Sequence, residues 1–283
     1  MEVLTNVNIS LSQMHKIVSE VGGCIAWGGS LDLSPADDAI IHVEHPLEID
    51  VEGQMIASIM SKKKSAGSTH VLLDIPMGET AKVKTKEEAV RLKKRFVKVG
   101  KAIGVEVKVI ITDGSEPIGK GIGPYLEAMD VLKVLRNEEG QPYRLRNKSL
   151  MMAGHLLEMG GVASKGQGLE YANEILESGL ANRKFDEILD AQSRKKEMSP
   201  AKHKVKILAE KSGTIKKINN KGISGITFIL GCTNDKPSGL SLYHKCGDKV
   251  KKGDVLVELF SNSKQKLNYA KAHIQEDSPF TIK

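Results

Sequence analysis

The sequence predicts an α/β fold, a parallel or mixed sheet with flanking helices, followed by a small β-rich α+β domain. Three observations predict it. Two short runs, THVLLDIPM (Thr69–Met77) and VEVKVIITD (Val105–Asp113), have the length and apolar, β-branched content of buried strands. The segment between them carries one apolar face at helical spacing. Beyond a charged, proline-bearing stretch at Arg194–Lys202 the pattern changes to short runs punctuated by glycine, which sets two domains, 1–198 and 199–283.

The segment GQMIASIMSKKKSAG (Gly53–Gly67) reads as a helix and its end. Met55, Ile56, Ile59 and Met60 fall on one helical stripe, while Ser58, Lys62 and Ser65 follow i, i+4, i+7 along the neighbouring face. Lys62 thus sits at the stripe's edge. On these residues alone the three lysines read as a solvent-facing helix end that complements the macrodipole, with Ala66-Gly67 closing the helix. After the first strand, Thr85 and Glu88 form a capping-box pair, and Ala89, Leu92, Phe96, Val99 and Ile103 mark a helical face leading to the second strand. A single crossover helix makes the two strands parallel. Ligands gather beyond the C-terminal ends of parallel strands, here Asp74–Thr80 and Thr112–Glu116, so Asp74 and Gly78 are candidate substrate-binding residues.

EPIGKGIGPYLEA (Glu116–Ala128) opens a helix with Gly119, Gly121 and Gly123. Their spacing is not that of a dinucleotide fingerprint, so they read as close packing at a helix entrance. Helices follow through SLMMAGHLLEMGG and LEYANEILESGLANRKFDEILDAQS, where His155 reads as a packed or edge histidine. The second domain reads as short strands: KVKILAE, GTIKKI, GITFIL and CGDKVKKGDVLVELF. Its G-D-K-V-K-K-G-D turn resembles the hairpins of lipoyl and biotinyl carrier domains, but no lysine is marked for modification, so a structural role is expected.

Composition narrows the class. A hydrophobic share of 40% over 283 residues, with 27% charged, is that of a globular protein with a substantial core. Three cysteines at wide spacing, Cys24, Cys232 and Cys246, form neither a disulfide framework nor a zinc pattern and point to a reducing, cytoplasmic setting. Neither a membrane span nor a signal peptide is apparent. The net charge of +7 comes with only 4% aromatic residues, which do not interleave with the lysines, so no nucleic-acid partner is expected.

Several segments together resemble the thymidine and pyrimidine nucleoside phosphorylase family, especially its archaeal-type branch, which includes AMP phosphorylases. The carrying residues are SPADD (Ser34–Asp38), VEHPL (Val43–Leu47), Val51–Gly78, Glu116–Ala128, Ser178–Gln192 and Gly247–Asp254, in order along the chain. The resemblance implies reversible phosphorolysis of a nucleoside or nucleotide, with inorganic phosphate as co-substrate, no cofactor and no metal, in a homodimeric enzyme. It implies that Ser58 and Lys62 hydrogen-bond the base and act in catalysis, the ammonium offsetting charge on the departing base. Where the family carries an arginine, the counterpart is His42, which supplies no fixed forked cation. The loop MGETAK departs from the family's glycine-rich form at Glu79 and Thr80. The family's helical domain and glycine-rich phosphate region precede the segment matched by Met1–Gln13. The chain is therefore expected to correspond to the C-terminal portion of a longer enzyme and to be inactive alone, with AMP as the alternative substrate and a non-catalytic binding fragment as the second alternative.

Overall fold

The computed structural model describes residues 1–28 and 52–283. His42, SPADD and VEHPL lie outside the described residues. Helix α1 (Leu11–Val21) starts at a capping box in which Ser10 and Gln13 satisfy each other's backbone N–H, and it packs on α7 (Leu180–Ala191). The end of α7 holds the first residues: the Gln192 amide donates to Asn6 O (2.8 Å) and Ile25 O (2.7 Å).

Helix α2 (Glu52–Ser65), strand β1 (His70–Met77), helix α3 (Lys86–Ala102) and strand β2 (Glu106–Asp113) form the expected β-α-β unit with one added helix. β1 and β2 pair in parallel, with Asp74 opposite Ile110 and Met77 opposite Asp113. The Thr85–Glu88 capping box is formed, and Ala89, Leu92 and Phe96 are buried from α3. They share a core with Ile56 and Met60 of α2, Val71 and Ile75 of β1, and Val109 of β2. Glu52 at the start of α2 pairs with Arg91 and Arg95 of α3, both at 3.1 Å.

After β2 the chain makes a two-residue strand β3 (Gly121–Ile122) and enters α4 (Pro124–Leu135), α5 (Tyr143–Met159) and α6 (Gly168–Glu177) before α7. The glycines at the α4 entrance are there for close packing, as expected: a Cβ on Gly121 would lie 2.6 Å from the Leu126 backbone. The buried Asp130 carboxylate accepts from Lys120 N (2.7 Å) and Gly121 N (2.8 Å), which folds this loop back on its helix.

The remaining elements are β4 (His203–Leu208), β5 (Gly213–Ile218), α8 (Asn220–Leu230), β6 (Gly239–Leu242), β7 (Lys249–Val250), β8 (Val255–Ser261), α9 (Lys264–Glu276) and β9 (Phe280–Ile282). One sheet has the order β3-β6-β8-β4 and the other β7-β5-β9, with antiparallel neighbours throughout. Both sheets and both helices contribute to one core around Ile215, Ile226, Leu240, Val257 and Ala270. GITFIL is a correction: it is the second half of helix α8, not a strand. Its β-branched content suggested a strand, but Ile223, Ile226, Thr227 and Leu230 are buried at helical spacing and Asn219 caps Lys221 N and Gly222 N. The lysine-rich Lys264–Glu276 is likewise a helix, with Leu267, Ala270 and Ile274 buried. In the G-D-K-V-K-K-G-D segment, Asp248 and Asp254 each accept from the backbone N–H three residues back, while Gly247 and Gly253 take φ of 95° and 94°. Two like turns thus bracket β7. No helix among the described residues is long and apolar enough to cross a membrane.

Candidate active site

The C-terminal ends of β1 and β2 meet through two glycines. A Cβ on Gly78 would lie 2.7 Å from the carbonyl carbon of Gly114, and one on Gly114 would lie 2.9 Å from Pro76 Cβ. The two strand-end loops therefore touch backbone to backbone, which no larger residue permits. Gly78 N donates to Val83 O (3.0 Å), closing the loop of Glu79 and Thr80.

Just below, Asp74 is engaged: it accepts from Thr112 Oγ1 (2.7 Å) and forms an ion pair with Lys148 of α5, which also donates to Thr112 Oγ1 (2.9 Å). One turn earlier on α5, Arg144 pairs with Glu116, whose second oxygen accepts from Cys246 N (2.8 Å). Beside these residues a cavity of about 200 Å³ opens beyond β2, lined by Thr112, Asp113, Glu116, Arg144, Lys148 and Met151. Asp113 accepts from Ser115 N, and this hydrogen bond holds its carboxyl below the usual carboxylate range.

Ser58 and Lys62 stand on α2, whose buried face shares the core of β1 and β2. Both are half-buried, whereas Lys63 and Lys64 are exposed. The run of three lysines is thus divided by the helical period, and Lys62 is the one drawn toward the protein.

Comparison with known proteins gives these features a lineage. Residues 214–281 match the pyrimidine nucleoside phosphorylase C-terminal domain. A protein of Hahella chejuensis named "putative thymidine phosphorylase" is 45% identical over 270 residues, covering 95% of this chain and 54% of the relative. One of the same name from Rhodopseudomonas palustris is 44% identical over 285 residues, 100% of this chain and 55% of the relative. The AMP phosphorylase of Pyrococcus abyssi is 46% identical over 274 residues, 95% of this chain and 54% of the relative. Along its length the chain is similar to these phosphorylases, and its residues 214–281 match the family's C-terminal domain. It spans about half the length of the curated relatives it matches.

The structure brings Asp74, Gly78 and the Thr112–Glu116 loop together at one sheet end, and places Ser58 and Lys62 on α2, the helix whose buried face shares the β1–β2 core. Sequence reading missed Lys148 and Arg144, although their i, i+4 spacing on a helix that follows the strand pair was a usable signal. It also missed Lys245, whose ammonium donates to Pro117 O (2.5 Å) and Gly119 O (2.6 Å). His155 is an edge histidine, its Nδ1 accepting from Lys108 Nζ at 3.0 Å. No group of three or more His, Cys, Asp or Glu among the described residues is placed to hold a metal.

Lys245 gives a pH-dependent prediction. Burial first, and the nearby Arg144 second, push its ammonium down to about 8. Its folded value is then below the unfolded one near 10.5, so the unfolded chain binds more protons between these limits and stability rises with pH there. Below pH 8 the cost of burying the charge is fully present. Urea titrations from pH 7 to pH 10.5 are expected to show this rise in the wild type and not in Lys245→Met, and parallel curves for the two would refute it.

Proposed function

We propose that the enzyme to which this chain contributes is a pentosyltransferase that uses inorganic phosphate to cleave a nucleoside, thymidine in the first instance, to free base and (deoxy)ribose 1-phosphate. The observation that carries this reading is the half-buried Ser58–Lys62 pair, one helical turn apart, in a chain similar to these phosphorylases. A phosphate oxygen forms a bond to C1′ as the C1′–N bond breaks, and the electron pair leaves with the base, which then takes up a proton. An ammonium at the base edge stabilises that developing charge, and a hydroxyl four residues earlier on the same helix face fixes the ring's orientation.

Phosphate is a co-substrate in this reading, and no cofactor takes part. A homodimer in the cytoplasm belongs to the same reading, supported by the family and by cysteine usage. AMP as substrate is the second reading. It is favoured by the 46% identity to the Pyrococcus abyssi AMP phosphorylase and by His42 standing where the resemblance calls for a pyrimidine-binding arginine.

The test is phosphate-dependent base release from thymidine, uridine and AMP. It is run with the chain alone and with the chain mixed with the part of the Hahella chejuensis relative that it does not cover. Thymine release in the mixed preparation is expected. Adenine release from AMP without thymine would select the second reading, and no base from any substrate in either preparation would overturn both.

A further inference from the structure

We propose that Asn220, at the start of α8, is a positioning residue for the substrate loop that follows β1, acting through Gly114. This rests on the reading of that loop as part of the substrate site. Asn220 Nδ2 donates to Gly114 O at 3.0 Å, from a partly buried position on the lining of a cavity of about 400 Å³. Gly114 in turn is the residue against which Gly78 packs, at a separation with no room for a Cβ on either side. The path from α8 to the β1 loop is therefore two contacts long: a side-chain amide on one carbonyl, then backbone on backbone.

Three features make this a device for placement rather than for folding. Asn220 is not the cap of α8, because Asn219 already accepts from Lys221 N and Gly222 N. Its removal leaves the helix start intact. The larger attachments between the two parts of the chain also stand without it: β3 pairs with β6, Lys245 binds the Pro117 and Gly119 carbonyls, and Glu116 binds Cys246 N. Finally, a direct link from the loop to the C-terminal part, Glu79 to Lys217 at 2.5 Å, is a surface ion pair and fixes little on its own. Gly114 O thus depends on Asn220 for its side-chain donor, and the β1 loop depends on Gly114 for its position.

The test uses amide hydrogen exchange on the 283-residue chain, which needs no activity. Asn220→Ala is expected to speed exchange about tenfold at residues 78–83 and 113–116, with rates in the α8 interior and β8 unchanged; a tenfold change corresponds to about 1.4 kcal/mol of local opening. Asn220→Asp, which keeps the shape but loses the donor, is expected to behave like Ala. Unchanged exchange in both loops, or faster exchange throughout residues 199–283, would overturn the proposal. In the preparation that releases base, Asn220→Ala is further expected to raise KM for the nucleoside several-fold with less effect on kcat. A loop response in a protein that releases no base would leave the placement standing and sink the reading of the site. A loop response with unchanged KM in an active preparation would overturn the loop's role toward substrate.

Discussion

In a preparation that releases base, Lys62→Ala is expected to lower kcat by roughly 10²- to 10³-fold, the cost typical of removing one group aimed at transition-state charge, whereas Lys64→Ala is expected to leave it near wild type. The contrast follows from burial: Lys62 is half-buried at the edge of the α2 core stripe and Lys64 is exposed at the helix end. If Lys62 merely kept the helix end soluble, the two substitutions would be equivalent, since both remove one charge from the same helix end. Steady-state assays of both variants decide the matter, and equal activities would sink the role assigned to Lys62. Ser58→Ala should cost less than Lys62→Ala, because a lost neutral hydrogen bond is weaker than a lost charge-assisted one.

Asp130→Ala is expected to produce the largest loss of stability, about 3 kcal/mol, since two charge-assisted hydrogen bonds go at once and leave buried donors behind. One oxygen of this buried carboxylate accepts from Lys120 N and Gly121 N. The loop it folds back carries β3 into the second sheet, so its loss also loosens the β3–β6 pairing. Gly119 is confined by the same group, for a Cβ there would lie 2.8 Å from Asp130 Oδ2. Asp130→Asn keeps an acceptor and should recover part of the loss. Urea denaturation of the three proteins measures this, and a loss below about 1 kcal/mol for the alanine variant, the worth of one ordinary hydrogen bond, would refute the assignment.

The β-α-β unit was legible in the sequence because its signals are local. The Thr85–Glu88 pair, the apolar face of α3 and the two β-branched runs each act within a few residues, and one crossover helix leaves little choice but parallel strands. The partition of the lysine run was legible too, since helical spacing alone sets Lys62 at the edge of the stripe. GITFIL was misread because β-branched residues favour strands only in general. Here a cap two residues before Lys221 and a core against the Ile223, Ile226 and Leu230 face of α8 decided for helix.

The rest depends on residues far apart in the chain. Asp74 meets Lys148, Glu116 meets Cys246 and Gly114 meets Asn220 across separations that no local pattern encodes. By itself the sequence determined the resemblance to the phosphorylases, the strand–helix–strand frame and the helix bearing Ser58 and Lys62. Only the tertiary structure decided that Gly121–Ile122 joins the second sheet and that a side chain of α8 reaches the loop beyond β2. The physical reason is that periodicity and capping act over one or two turns. Hydrogen-bond partners for a buried carbonyl or carboxylate are chosen by whatever the folded chain brings within about 3 Å.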